Sequence, residues 1–196
     1  VLSRAAIRAS VDASHAWLGG PGDWVLALPA YYIAGLMVIA RACLGGTRVV
    51  PVRSDLSDLP GVGNALSAPR YISLVPAQLA RALRHDDLIQ SLRSFRAVLV
   101  GGGPAHGELL NRAATRGIRV VTSYGMSETC GGCVYDVTPL AGVDVELTDA
   151  GRIMIKSPSL FTSYRLRPDL TAAALTEGQF TTQDLGRWEV GRLVVL

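Results

Sequence analysis

The stretch from Ala97 to Val121, AVLVGGGPAHGELLNRAATRGIRVV, decides the fold class. Its first four residues are apolar, as is typical of a buried strand, and three glycines follow them. Glu108 to Arg116 predicts a helix that Gly117 ends, and Ile118 to Val121 predicts the next strand. A strand, a helix and a second apolar strand in this order predict a parallel βαβ unit.

The same alternation extends toward the N-terminus. Ser3 predicts the N-cap of a first helix, which carries Ile7, Val11 and Leu18 on one face and ends at Gly19. Further strands are predicted at 24–28, 47–52 and 71–75, helices at 33–44 and from Pro76 to about Arg84, and a connection with a short helix at 53–69. We therefore expect an α/β fold: a layered parallel sheet flanked by helices on both faces.

After about Pro139 the pattern becomes that of antiparallel β-structure. Two alternating segments, 143–147 and 152–156, surround the turn Asp149-Ala150-Gly151 and predict a hairpin. Residues 180–182 and 192–196 continue in the same style. The sequence predicts two subdomains, an α/β subdomain at 1–139 and a β-rich subdomain at 140–196.

Composition excludes several classes of protein. The chain has 196 residues, of which 49% are hydrophobic and 18% charged, too apolar for a disordered protein. A net charge of +3 spread along the chain is no nucleic-acid footprint. The longest apolar stretch, 33–44, is shorter than the roughly 20 residues of a membrane span, and we expect no signal peptide. Cys43, Cys130 and Cys133 give no disulfide framework and fit a reducing cytoplasm.

Two loops after consecutive strands are candidates for chemistry, because ligands of α/β proteins bind at the carboxyl ends of strands. Gly101-Gly102-Gly103-Pro104 allows close backbone approach to a ligand, or it is a plain chain reversal. Thr122 to Thr129 offers hydroxyl groups, the ring of Tyr124 and the carboxylate of Glu128. Alternatively, Ser127 caps a helix there and Glu128 is only solvated.

Four segments, in order along the chain, resemble motifs of the adenylate-forming (acyl-CoA synthetase) superfamily. They are the glycine loop 101–104, the run Tyr124-Gly125-Met126-Ser127-Glu128-Thr129, the segment from Gly151 to Tyr164, and Phe180-Thr181-Thr182-Gln183-Asp184-Leu185-Gly186. The longer run 125–136 is most similar to the o-succinylbenzoate–CoA ligases of actinobacterial menaquinone biosynthesis.

The resemblance implies an ATP-dependent ligase that activates a carboxylic acid as an acyl-adenylate and then transfers the acyl group to coenzyme A. It implies that Tyr124 stacks on adenine beside Gly102, Gly103 and Pro104, and that Ser127 binds the α-phosphate. Glu128 would hold Mg²⁺ and Asp184 the ribose hydroxyl groups, although Asp184 is alternatively a turn residue. Ser123, Gly125 and Met126 would complete the nucleotide site. Tyr31, Tyr32 and Gly35 fall in the segment that resembles the acyl-site loop.

The chain also departs from the family pattern. Gln183 replaces the glycine of a Thr-Gly-Asp triplet, and Tyr32 replaces a histidine, so that Tyr32 either lines the acyl pocket or fills the core. The family's phosphate loop, with its lysine, and the C-terminal domain, with the catalytic lysine, belong before and after the matched stretch. Lys156, the only lysine here, matches neither. We therefore expect a fragment of the large N-terminal domain that ends before the hinge, lacks the C-terminal domain and turns over weakly or not at all.

Other readings remain open at this point. The acid is alternatively another aryl or fatty acid, or the chain is a non-catalytic nucleotide-binding module or a purely structural α/β domain. Cys130-Gly131-Gly132-Cys133 has the spacing of a metal site or a redox dithiol. A zinc site needs two more ligands and no thioredoxin-like context surrounds the pair, so buried thiols are favoured. Arg81, Arg84, Arg93 and Arg96 are interpreted as a solvated helix face, with binding of a coenzyme A phosphate by one of them as the alternative. We expect no nucleic acid or membrane as partner and leave a homodimer open.

Overall fold

The computed structural model describes residues 1–67 and 69–196, so that Ala68, within the predicted connection 53–69, lies outside the described residues. The helices are α1 (Arg4–Leu18), α2 (Ile33–Gly45), α3 (Pro76–Ala82), α4 (Asp86–Arg93), α5 (Gly107–Thr115) and α6 (Pro168–Ala174). The strands are β1 (Asp23–Leu26), β2 (Val49–Pro51), β3 (Arg70–Leu74), β4 (Ala97–Gly101), β5 (Val120–Met126), β6 (Gly131–Tyr135), β7 (Thr138–Pro139), β8 (Asp144–Leu147), β9 (Arg152–Lys156), β10 (Leu175–Thr176), β11 (Gln179–Glu189) and β12 (Arg192–Val195).

Local signals define the first helix as predicted. The Ser3 hydroxyl accepts a 3.0 Å hydrogen bond from the Ala6 N–H, which satisfies one of the free donors at the start of α1. Gly19 ends the helix in the left-handed conformation, with φ +80°. Val11, Ser14 and Leu18 are buried along one face of α1.

Two sheets form within residues 1–67 and 69–196. The larger has the strand order β2-β1-β3-β4-β5-β6-β7. The pairs from β2 to β5 are parallel, whereas β6 and β7 add antiparallel strands beside β5. The predicted α/β sheet is confirmed, and its antiparallel edge is an addition that the sequence interpretation lacked.

Both faces of the larger sheet are buried, as predicted. Along β4, Val98 and Val100 pack into a cluster with residues of α3, α4 and α5. Ala97 and Leu99 point the other way, into a cluster with residues of α1 and α2. Alternate side chains of one strand thus enter two cores, as the period of a strand requires.

The smaller sheet consists of β10, β11, β9, β8 and β12 within the described part of the chain, all paired antiparallel. β8 and β9 form the predicted hairpin, and Ile153 and Ile155 of β9 are fully buried. These two side chains and Leu193 pack in the same cluster as Trp24 and Leu99 of the larger sheet. The sheets divide near residue 140, but separate subdomains at 1–139 and 140–196 stay a prediction.

The structure differs from the prediction in two segments. Residues 86–93 form α4, which the sequence interpretation omitted; the arginines from 81 to 96 are therefore divided between two helices and the segments beside them rather than on one helix face. Residues 122–126, interpreted as a loop, continue β5 because β6 folds back and pairs with them. Among the described residues, no helix combines the length and the apolar character that crossing a membrane requires.

Candidate active site

A cavity of about 610 Å³ opens at the carboxyl ends of β3 and β4. Helix α2 forms one wall, which includes Ile33 and Met37, and the glycines of β5 and β6 form another. The cavity therefore lies where an open α/β sheet binds its ligands. Of the residues predicted as a site, it is lined by Tyr32, Gly102, Ser123, Gly125 and Ser127.

The predicted site residues outside this lining are Tyr31, Gly35, Gly103, Pro104, Tyr124, Met126, Glu128 and Asp184. Tyr31 and Tyr32 are 82% and 63% exposed, and their ring centroids lie 4.7 Å apart. Tyr32 therefore does not fill the core. Gly35 is buried where a Cβ would come within 2.3 Å of the Pro29 carbonyl oxygen, so a glycine is needed for α2 to approach that turn.

The absence of a side chain at Gly125 lets the paired strands β5 and β6 approach each other closely at the cavity wall. A Cβ on Gly125 would lie 2.1 Å from the carbonyl oxygen of Gly131. The intervening turn is fixed by Thr129, whose hydroxyl accepts from the Met126 N–H at 2.9 Å and donates to the Gly131 carbonyl at 2.6 Å. Thr129 is therefore a structural residue of this motif, and Ser127 begins the short 3-10 turn with its side chain exposed.

Tyr124 and Asp184, predicted from separate motifs, meet in the structure. The Tyr124 hydroxyl donates a 2.9 Å hydrogen bond to Oδ2 of Asp184. Burial raises the pKa of Tyr124 well above its usual value, and the adjacent Asp184 carboxylate raises it further. The phenol therefore stays protonated and remains a donor to the carboxylate.

Glu128 is held by a tyrosine rather than simply solvated. The hydroxyl of Tyr164 donates to Oε1 of Glu128 at 2.9 Å, and the Glu128 carbonyl accepts from the Phe161 N–H at 2.7 Å. Burial, together with the Glu128 carboxylate, raises the pKa of Tyr164 to about 12. Oε2 of Glu128 makes no hydrogen bond within the described part of the chain, so one carboxylate oxygen is free for a ligand.

Arg41, which sequence reasoning missed as a site residue, contributes the charge of the cavity wall. It is 3% exposed and lines the cavity from α2. Its Nη2 donates to the Tyr135 hydroxyl at 3.1 Å, and its guanidinium carbon lies 5.1 Å from the centroid of the Trp24 ring. Its buried Nε has no hydrogen-bond partner among the described residues. The signal in the sequence is that Arg41 is the one charged residue of the apolar stretch 33–44.

The remaining polar lining leaves the cavity electropositive. Arg81 stands at its rim, and no Asp or Glu belongs to the lining within residues 1–67 and 69–196. The amide of Gln78 is fully used: it donates to the carbonyls of Ala27 and Ser54 and accepts from the Val75 N–H. This cavity therefore suits an anionic ligand with an apolar body.

A metal site based on cysteine finds no support in the described part of the chain, which contains no group of three or more His, Cys, Asp and Glu able to hold a metal ion. Cys130 and Cys133 are buried free thiols, as favoured by the sequence interpretation. Burial raises their pKa values to about 11 and about 12. Neither thiol is therefore a nucleophile near neutral pH.

Comparison with known proteins gives consistent matches. Residues 1–165 match the profile of the family described as "AMP-binding enzyme". A Mycobacterium tuberculosis protein named "Probable 2-succinylbenzoate–CoA ligase" is 46% identical over an alignment of 205 residues, which covers 100% of this chain and 52% of that protein. The 2-succinylbenzoate–CoA ligase of Bacillus pumilus is 31% identical over 83% of this chain and 37% of that protein.

A solved structure of similar fold is the o-succinylbenzoate CoA synthetase of Bacillus subtilis in complex with its acyl-adenylate intermediate. It matches with a TM-score of 0.89 and 29% identity, over 100% of this chain and 45% of that one. The complex of the same synthetase with ATP and a magnesium ion matches with a TM-score of 0.88 and the same identity, over 100% of this chain and 46% of that one. The chain spans about half the length of the curated relatives named above, or less.

Proposed function

The chain belongs to the family of AMP-binding enzymes, and from that premise we propose that it is the acyl- and nucleotide-binding part of an ATP-dependent acid–CoA ligase. In the proposed reaction a carboxylate oxygen attacks the α-phosphorus of ATP and pyrophosphate leaves. The thiolate of coenzyme A then attacks the acyl carbon and displaces AMP. The acid that we propose is 2-succinylbenzoate.

The choice of acid follows the names of the similar proteins, and one structural observation supports it: Arg41 is a buried residue of the cavity lining and has no acidic partner among the described residues. A buried cation without a counter-charge is unfavourable until an anion reaches it. 2-Succinylbenzoate has two carboxylates, and the carboxylate that is not activated stays negative throughout the reaction. Arg41 would pair with this second carboxylate, and the apolar wall of α2 would contact the aromatic ring.

The nucleotide would lie against the adjacent ends of β4 and β5. We propose that Tyr124 stacks on adenine, that Gly102, Gly103 and Pro104 line the base, and that Asp184 accepts from the ribose hydroxyl groups. The hydrogen bond from Tyr124 to Asp184 supports this placement because it brings the proposed base and ribose contacts together. Ser127, with its exposed hydroxyl, would donate to the α-phosphate. Ser123, Gly125 and Met126 would complete the wall.

Glu128 has the donor chemistry expected of a magnesium ligand. Its Oε1 accepts from Tyr164, and its other carboxylate oxygen makes no hydrogen bond among the described residues. Because Mg²⁺ is commonly held by one or two carboxylates together with substrate phosphates and water, a single protein carboxylate fits this role. Bound there, Mg²⁺ would offset negative charge on the phosphates. The hydrogen bond from Tyr164 fixes the Glu128 side chain in advance.

The proposal includes a co-substrate and a cellular compartment. Coenzyme A would enter as co-substrate, and we assign no residue to it. Three free thiols, with the buried pair protonated near neutral pH, fit the reducing cytoplasm. The two competing interpretations are a ligase for another aryl or fatty acid and a nucleotide-binding module without turnover.

The test is ATP–pyrophosphate exchange by the protein expressed from its complete reading frame, with two acids compared. We expect 2-succinylbenzoate to support exchange. 3-Benzoylpropionate, which lacks only the ring carboxylate, should support exchange with a KM that is higher by about 10-fold or more, because it cannot form the charged hydrogen bond to Arg41. In Arg41→Met this difference between the acids should shrink to within about twofold. Exchange with other acids alone would overturn the choice of substrate, and failure to bind any adenylate would overturn the whole proposal.

A further inference from the structure

The guanidinium of Arg41 is held by a neutral hydroxyl rather than by a carboxylate. Nη2 of Arg41 donates to the Tyr135 hydroxyl at 3.1 Å, and the Tyr135 hydroxyl lies 3.1 Å from the hydroxyl of Ser14. Tyr135 and Ser14 are both fully buried, and Arg41 is 3% exposed. A guanidinium has no acceptor, so the phenolic oxygen must accept from Arg41 and leaves its own proton for Ser14.

This three-residue network joins parts of the chain that are far apart in sequence. Ser14 lies on α1, Arg41 on α2 and Tyr135 on β6, the antiparallel strand beside β5. Ser14 fixes the direction of the phenol, and the phenol fixes one edge of the guanidinium. The guanidinium carbon lies over the Trp24 ring, at 5.1 Å from the ring centroid, and this cation–π contact is a second restraint on Arg41.

The neutrality of the holding group has a consequence for binding. A carboxylate at the position of the Tyr135 hydroxyl would orient Arg41 equally well, but it would also neutralise the guanidinium and weaken its attraction for a ligand. A phenol accepts the hydrogen bond and leaves the positive charge in place. No acidic side chain lies within salt-bridge distance of Arg41 among the described residues. The charge is therefore both fixed in direction and available.

We propose that Tyr135 is a positioning residue that directs the Arg41 guanidinium at the second carboxylate of the acid and so determines selectivity for dicarboxylic over monocarboxylic acyl substrates. This inference rests on the proposed function, because it presupposes that the acid lies in the cavity beside Arg41. Tyr135 itself touches no substrate in this scheme. Its effect passes entirely through the direction and charge of Arg41.

The experiment uses Tyr135→Phe in the protein expressed from its complete reading frame, with dissociation constants measured by calorimetry for 2-succinylbenzoate and 3-benzoylpropionate. We expect the constant for 2-succinylbenzoate to rise by about 10-fold, as for one hydrogen bond to a charged group. The constant for 3-benzoylpropionate should change by less than about twofold, because that acid has no ring carboxylate for Arg41 to reach. A role in packing alone would weaken both acids together, and that result would overturn the proposal.

Tyr71→Phe is the matched control. Tyr71 is also fully buried in the same cluster and stacks against Trp24 at 5.0 Å between centroids, but its hydroxyl donates to backbone carbonyls of Leu18 and Gly20 rather than contacting Arg41. Loss of the Tyr71 hydroxyl should leave the ratio of the dissociation constants for the two acids unchanged. A change in that ratio equal to the change in Tyr135→Phe would show a general effect of losing a buried hydroxyl and would count against the proposal.

Two further variants separate the possible failures. If Arg41→Met leaves the ratio of the dissociation constants for the two acids unchanged, the proposed choice of acid is wrong, and so is the proposed role of Tyr135. If Arg41→Met abolishes the ratio but Tyr135→Phe preserves it, the positioning role alone is wrong. Should Tyr135→Phe not fold, Ser14→Ala takes its place, with an expected selective loss of about threefold, the low end for one hydrogen bond; an unchanged ratio there overturns the proposal.

Discussion

The hydroxyl of Tyr124, in the larger sheet, donates a 2.9 Å hydrogen bond to the carboxylate of Asp184, in the smaller sheet. Tyr124 belongs to β5 and Asp184 to β11, at a point where the pairing of β11 with β9 is irregular between Thr181 and Leu185. The irregularity frees Asp184 from the ladder and lets it reach the tyrosine. Two motifs 60 residues apart in sequence thereby become one side-chain pair.

This pair predicts coupled effects on nucleotide binding. In Tyr124→Phe the Asp184 carboxylate loses a donor, and we expect the dissociation constant for AMP to rise about fivefold, as for one net hydrogen bond. In an Asp184→Asn background the same tyrosine change should have a smaller effect, because the charged acceptor is already gone. Calorimetry on the four proteins of this double-mutant cycle measures the coupling. Equal effects of Tyr124→Phe in both backgrounds would contradict a shared role.

Glu128→Gln removes the negative charge of Glu128 and should leave the fold intact. The glutamine carbonyl can still accept the hydrogen bond from Tyr164, so we expect the melting temperature to change by less than about 3 °C, within the range of a conservative surface change. ATP–pyrophosphate exchange should fall by at least about 100-fold, the scale of removing one electrostatic contact to a reacting group. Titration of activity with magnesium should also shift to higher concentration. Unchanged exchange with unchanged magnesium dependence would refute the assignment of Glu128.

Asp23, the first residue of β1, predicts a pH-dependent contribution to the stability of the fold. Burial tends to raise its pKa, but the backbone N–H groups of Arg48 and Ser67 and the Arg48 guanidinium donate to the carboxylate and hold the pKa below its usual value. The ionised form therefore stabilises the fold above the unfolded-state pKa of about 3.9. This contribution is lost as pH falls through the lower folded-state pKa.

We expect Asp23→Asn to lower the free energy of unfolding by about 2 kcal/mol at pH 7, because an amide oxygen replaces a charged acceptor of several hydrogen bonds. The difference from the unmodified protein should narrow at pH 3. Urea denaturation at both pH values measures it. Asp86→Asn is the control, since Asp86 forms an exposed ion pair with Arg116 and should change the free energy by less than about 0.5 kcal/mol. A difference independent of pH would count against the assignment to the Asp23 carboxylate.

The three thiols should differ sharply in reactivity. Cys43 is exposed, whereas Cys130 and Cys133 are buried with raised pKa values. With a disulfide reagent at pH 8 we expect one thiol to react rapidly in the folded protein and the other two only after denaturation. Cys43→Ser should abolish the rapid phase. Rapid reaction of two or more thiols would instead favour an accessible Cys-x-x-Cys pair.

Local signals were sufficient for most of the fold. Ser3 and Gly19 predicted both ends of α1, and the turn at Gly151 predicted the β8–β9 hairpin, because capping and turn chemistry act within a few residues. Helix α4 was omitted because residues 86–93 give only eight positions after a short helix, too few for a clear period. The extension of β5 depends on pairing with β6, which no local preference of residues 122–126 records.

The site was predicted unevenly for the same reason. Tyr124, Glu128 and Asp184 were predicted because they lie in motifs with fixed spacing. Their hydrogen-bond relations, including the one between Glu128 and Tyr164, arise from tertiary packing and had no counterpart in the sequence interpretation. Arg41 was overlooked because its hydrogen-bond partner, Tyr135, lies 94 residues away.

The proposed role of Arg41 also restricts which substitutions can raise the melting temperature of this protein without weakening the binding of the acid. Replacing a buried charge by a well-packed apolar side chain is often neutral or stabilising by about 1–4 kcal/mol. Selection for heat resistance alone would therefore favour methionine or leucine on this face of α2. Under the proposed function, an arginine at this position lowers stability in exchange for binding the acid, a conflict that is common at binding residues. Substitutions intended to increase thermostability should therefore exclude Arg41.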